Sequence, residues 1–547
     1  MNPMWMRNRL GVTVALGCLF ALRVSAQHDH ADAIGTPSSG VVEFVNSGAV
    51  TAQKDFLQGL AQLHNFQYEA AAAAFRRAEQ IDPDFAMAYW GEAMTHNHPI
   101  WAQQNVAVAR TVLAKLGATP SERSGKAPTA REKAYLAALE VLYGEGEKYD
   151  RDRRYALAME RVHAAYPDDI DATCFYALSL LGTAHSGRDV PTYMRAASLM
   201  EEVFERHPQH PGAAHYLIHS VDDAAHAPLG LRAANAYSRI APDSSHAQHM
   251  TSHIYLALGM WAETAAANEA SIAVAVRSLH ARDPQRPLPG CGHAYTWLHY
   301  AYLQEGLINK ARRLLEACGG ELRDRPSSAS GADLLDYDGT SAGSYHEMRS
   351  RQIIDSQKWE DAARTSASTR DLPLAQYIDH FLTAYVAAQR GQIDAAGRAM
   401  AKATEAAKVL DADAAHEGIL ADHPQRLVPV IEIDELRGLL LLRQGAQAQA
   451  VDLLSKAAAA ERELPMDFGP PSLLKPANEL LGEILLELGR TQDARTAFEQ
   501  AQRLAPGRVQ SLRGLSRCAV ALHDTELAAS VDGRLSRIKA NAGADEG

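Results

Sequence analysis

Residues 211–230 read PGAAHYLIHSVDDAAHAPLG, and residues 242–261 read PDSSHAQHMTSHIYLALGMW. His215 and His219 in the first stretch recur 34 places later as His249 and His253 in the second. A 34-residue period is that of a helix–turn–helix unit. Prolines keep the same step, Pro208 to Pro242. A histidine pair that keeps the period lies on the same face of two stacked helices. The stretch therefore predicts both a helical array and a histidine-lined surface within it.

Working outward, apolar residues three and four apart continue from about Thr51 almost to the end of the 547-residue chain. Residues 64–94, HNFQYEAAAAAFRRAEQIDPDFAMAYWGEAM, carry Tyr68, Ala71, Phe75, Ala78 and Pro83 in order. Residues 476–508, PANELLGEILLELGRTQDARTAFEQAQRLAPGR, carry Leu481, Gly482, Gly489, Ala494, Phe498, Ala501 and Pro506. Small residues let two helices approach, phenylalanine fills the gap and proline ends the second helix. Both segments resemble tetratricopeptide (TPR) repeats. The resemblance implies an all-α fold, a right-handed solenoid of antiparallel helical hairpins arranged in two halves. It also implies a protein or peptide partner.

The expected organisation is a signal peptide over 1–26, a flexible leader over 27–50 and an amino-terminal array over 51–324. A linker at 325–343, a carboxy-terminal array at 344–540 and a tail at 541–547 complete it. Arg7 and Arg9 precede the apolar run Leu10–Leu22, and Val24-Ser25-Ala26 is a small-residue cleavage site. That reading sends the chain to the periplasm or outside the cell, with no membrane span after processing. His28 and His30 would lie beside the new amino terminus, where an amine and an imidazole can capture an ion such as copper. A net charge of −12 argues against nucleic acid, which needs clustered Lys and Arg. Cys291 stands before one expected helix and Cys318 at the end of its antiparallel partner. They form either a disulfide or two separate buried thiols.

The candidate site follows from the repeat frame. The resemblance puts the second, fifth, ninth, twelfth and thirteenth residues of a repeat on its concave face. Repeats beginning near Pro211 and Ser245 then offer His215, His219, Asp222 and Asp223 from one helix and His246, His249 and His253 from the next. His64 and His98, also 34 apart, Asn97 beside His98, and His293 add to the groove, with His226 at its edge. Trp90 falls at an inward place and is expected to stack on a ligand.

Histidines four apart on a helix can meet one ion, and a packed neighbouring helix can complete the shell. Imidazole with carboxylate suits Zn, Cu, Fe, Ni or Mn. Asp222 or Asp223 would either ligate or orient a ligating ring. The alternatives are a polar groove that recognises an acidic partner, in an envelope scaffold without metal, and a metal-dependent enzyme of unknown reaction. No motif names a reaction. His215-Tyr216-Leu217-Ile218-His219 has the histidine spacing of zinc proteases, but Tyr216 stands where their glutamate would be.

Overall fold

The computed structural model describes residues 38–285, 289–324, 341–363, 373–416, 423–466 and 468–546. Twenty-four α-helices follow one another through these residues, paired by short turns into hairpins. Among the described residues, extended structure is a two-residue antiparallel ladder, Asn97 opposite Gln104 and His98 opposite Gln103, and one isolated bridge between His185 and Gly187. The architecture is an all-α, TPR-like solenoid.

One contact explains how the hairpins stack. The Tyr68–Ile81 helix, an alanine-rich segment, buries Ala71, Ala74, Phe75 and Ala78 along a single face. Phe75 stands between Gly59 of the helix before it and Gly91 of the helix after it. A Cβ on either glycine would come within 2.9 and 2.4 Å of the Phe75 ring. The arrangement returns near the other end, where Phe498 fills the space over Gly482 and Gly514, with corresponding approaches of 2.8 and 2.3 Å. Each phenylalanine lies 16 residues from each of its glycines. The glycine removes a side chain, the helices close up, and the ring replaces the missing volume.

The two helices of the opening stretch span Pro211–Val221 and Ser245–Ala257. Pro211 occupies a first-turn position whose N–H would have no helical partner. His210 Nδ1 caps that helix by accepting from the Ala213 amide at 3.3 Å, and Ser244 Oγ caps the second from Ala247 at 3.2 Å. After the second helix Gly259 turns the chain at φ +66°, and a Cβ there would lie 2.5 Å from the Pro506 carbonyl oxygen.

That approach belongs to a seam between distant parts of the chain. Trp261 Nε1 donates to the Gly507 carbonyl at 3.1 Å. Buried Arg508 donates to Asp355 at 3.1 Å through Nη1 and to Glu479 at 2.9 Å through Nε. Residues Ser38–Gly547 accordingly form one compact unit.

Part of the expected leader is ordered. From Ser38 onward the chain lies against the first repeats, because Phe44 is apolar and buries its ring 5.4 Å from those of Phe56 and Tyr135. Ser47 Oγ adds a 2.7 Å bond to Glu132. The expected tail continues the Thr525–Glu546 helix. The signal peptide, the start of the leader and residues 325–340 of the expected linker lie outside the described residues. Cys291 and Cys318 are disulfide-bonded, with Cα atoms 4.6 Å apart. Among the described residues no helix is long and apolar enough to cross a membrane.

Phe75→Ala should lower the stability by about 3–5 kcal/mol, the usual cost of emptying a buried phenylalanine site. Gly91→Ala should also destabilise, since its new Cβ meets that ring. Denaturant unfolding of the two variants checks both. An unchanged midpoint would show that the glycine–phenylalanine contact does not hold the repeats together.

Candidate metal centre

The Pro211–Val221 helix is buried along its whole length, so its histidines lie in the packed interior rather than on an exposed surface. This corrects the expectation of an open concave groove. Phe66, just after the first helix, packs its ring 4.3 Å from that of His215, and Phe468 from the far half of the chain lies 5.0 Å from His253. These two rings cover what a bare repeat surface would expose.

Six of the histidines give two three-histidine sets, and His219 and His253, one from each, also group with Asp222. His215, His219 and His246 bring ligand nitrogens within 4.8 Å of one another, and so do His249, His253 and His293. The four rings expected to surround one ion thus fall two and two. Each pair is completed by a ring near the start of the next repeat's first helix. His215 Nε2 and His246 Nε2 are 3.1 Å apart, and His249 Nε2 and His253 Nε2 are 3.2 Å apart.

The opposite ring nitrogens are held by fixed partners. His215 Nδ1 faces the carbonyl oxygen of His64 at 2.7 Å. His249 Nδ1 faces Asn268 Oδ1 at 2.7 Å, and the amide nitrogen of Asn268 donates to the Thr264 carbonyl, which fixes which end of that amide is turned to the ring. His253 Nδ1 faces Asp222 Oδ2 at 2.8 Å, and His219 Nδ1 lies 3.4 Å from the same oxygen. Each partner is an acceptor, so these contacts assign the proton of each neutral ring to Nδ1. The lone pairs therefore sit on Nε2. Between His249 and His253 two lone pairs meet at 3.2 Å, which in neutral rings is repulsive. His219 Nε2 is buried with no hydrogen-bond partner among the described residues.

Burial keeps the rings of His215, His249 and His253 neutral. It pushes His215 and His249 well below the ordinary imidazole value, helped by neighbouring histidines, and lowers His253 to about 3 even against the pull of Asp222. Burial alone would raise the Asp222 carboxyl. The Arg188 guanidinium and the bonds from His219 and His253 outweigh it and keep the group ionised. Arg188 pairs with Asp222 and, at 3.0 Å, with Asp223.

Asp222 therefore orients rings through their Nδ1 side. Asp223 is turned to Arg188 and to His226 Nδ1, 2.9 Å away, and also takes the backbone amides of Ala225 and His226, so its oxygens are spent outside both three-histidine sets. His226 stays at the edge, as its place in the turn implied. His64 reaches the site through its backbone. Its ring is engaged by Asp171 at 2.8 Å and by the Tyr216 hydroxyl at 2.9 Å, beside His210.

Three expected ligand contacts lie elsewhere. Trp90 is a core residue packed among Phe44, Tyr135 and Phe175, because the leader covers the face it was expected to present. His98 sits in the short ladder, its ring stacked 3.9 Å from Tyr68. Asn97 accepts from Gln104 at 2.9 Å. Arg188, Asn268 and Phe468 join the histidines without having been foreseen, beside Trp297, whose ring lies 4.5 Å from that of His253. A polar asparagine buried in the Trp261–Arg282 helix was the one signal of these available in the sequence.

A tetratricopeptide repeat family model matches residues 476–508. Among solved structures, yeast Tom70 is similar over 88% of this chain and 99% of its own, at 13% identity and a TM-score of 0.33. The human IFIT1 dimer with m7Gppp-AAAA is similar over 91% and 90%, at 12% identity and a TM-score of 0.31. The APC/C hetero-tetramer Cut9-Hcn1 is similar over 90% and 94%, at 13% identity and a TM-score of 0.26. No curated protein matches the chain significantly.

The neutral rings set the pH response of the metal-free chain. A ring that binds a proton more weakly folded than unfolded takes it up on unfolding, so acid favours the unfolded state once the pH drops below the unfolded value of about 6.5. His215, His249 and His253 are such rings. The melting temperature of chelator-treated protein should fall steadily from pH 6.5 to pH 4. A flat profile would contradict the neutral assignment.

Proposed function

We propose that this chain is an exported α-solenoid that binds a transition metal in its histidine pocket. The observation that carries the reading is the approach of His249 Nε2 to His253 Nε2 at 3.2 Å, with both rings protonated on the far side. A cation between the nitrogens turns that repulsion into coordination. A proton would join only two of the nitrogens, whereas a metal ion can take all three of a set. A metal brings its charge and takes the ligands as neutral imidazoles.

The donors select the ion. Imidazole nitrogen suits zinc and copper, the ions that stand high in the affinity order for such sites. The carboxylate of Asp222 lies behind the rings, in the orienting role that commonly raises ligand basicity and fixes the tautomer. The coarser role of the fold stands beside this one. A TPR-like solenoid presents extended surfaces to protein or peptide partners, and the pocket occupies only a few of its repeats.

Equilibrium dialysis against zinc and against copper, followed by elemental analysis, should find at least one tightly held ion per chain. Asp222→Asn should weaken zinc binding about tenfold to a hundredfold, as loss of an orienting partner does, with unchanged helical circular dichroism. No stoichiometric ion under either loading would end the proposal.

A further inference from the structure

Resting on that reading, we infer that the pocket is a two-ion centre, with one zinc- or copper-class ion in each three-histidine set. The sets share no ligand. His215, His219 and His246 form one, and His249, His253 and His293 the other. Six separate imidazoles are more than one tetrahedral ion uses.

The sets are also built alike. In each, two histidines four apart on one helix are joined by a third ring from the start of the next repeat's first helix. His246 is the second residue of Ser245–Ala257, and His293 the first of His293–Gln304. Stacking one repeat on the next therefore brings three imidazoles together twice, with the third ring packed differently in each set. The close Nε2 pair is His249 with His253 at 3.2 Å in the second set and His215 with His246 at 3.1 Å in the first, where His246 Nε2–H can also donate to His215. The third ring is half-buried in both sets, so each has a side toward which an ion can enter.

The two sets are joined behind their ligands. Asp222 Oδ2 lies 3.4 Å from His219 Nδ1 of the first set and 2.8 Å from His253 Nδ1 of the second. Rings from the two sets approach closely, with His219 and His253 centroids 5.5 Å apart. Three protein donors per ion match sites that keep a position open for an exogenous ligand. No carboxylate or thiolate belongs to either set, which disfavours the hard cations calcium and magnesium.

The test counts zinc in the full-length chain after equilibrium dialysis. The double variant His246→Ala/His293→Ala serves as the baseline, so an ion held by the amino-terminal histidines cancels. Wild type should hold two ions more than this baseline, and each single variant one more. An excess of one in wild type would overturn the two-ion centre while leaving the metal-binding reading intact. An excess of zero, with no ion held in the pocket, would overturn both. If an alanine variant loses its helical circular dichroism, His→Gln at the same position replaces it and the same counts decide.

Discussion

Asp222 accepts hydrogen bonds from rings of two successive repeats while its other oxygen is paired with Arg188. This arrangement is a poor way to gain stability. Desolvating a carboxylate and a guanidinium costs about as much as their attraction returns, and apolar side chains of the same volume would often serve as well. An ionised carboxylate can nevertheless do what no apolar group can. It accepts N–H from His253 and His219, fixes where those protons sit, and so aims Nε2 into the pocket. Arg188 is what allows the charge to persist in a buried place. The Asp222–Arg188 pair is therefore better explained by the direction of the rings than by the stability of the helices.

The rings could not be brought together without close helix packing, and here the solenoid supplies the geometry. Gly59–Phe75–Gly91 and Gly482–Phe498–Gly514 show the same step at opposite ends of the chain. The step expresses a short-range rule, small residue against large ring. That made the fold legible in the sequence, since such a rule leaves its mark at fixed spacing. The same regularity made His215, His219, His249 and His253 legible, because they lie on one helical face in successive units.

Repeat spacing has less to say about which face is open. Trp90 and His215 occupy corresponding places in their units, yet Trp90 is covered by Phe44 from the leader while His215 faces the pocket. Arg188 lies in a loop with no repeat signature, and Phe468 arrives from the other half of the array. Neither position is set by local periodicity. The spacing also could not divide the histidines into two sets, because that depends on how far the first helix of one repeat overlaps the next.

Enclosure changes what these rings can do. On an open surface, water would satisfy each Nε2 and a passing proton would convert the ring to a cation at mildly acid pH. Under Phe66, Trp297 and Phe468 the rings of His215, His219, His249 and His253 are buried, while His246 and His293 keep part of their surface exposed. The Cys291–Cys318 disulfide stands two residues before His293, the first residue of its helix. It lies beside Gly290 and Cys291, whose amides bond Glu321 at 2.6 and 3.0 Å, and it holds the turn from which His293 enters its helix. The covalent link and the aromatic cover thus serve one end. They hold neutral nitrogen donors close together, His215 Nε2 and His246 Nε2 at 3.1 Å and His249 Nε2 and His253 Nε2 at 3.2 Å.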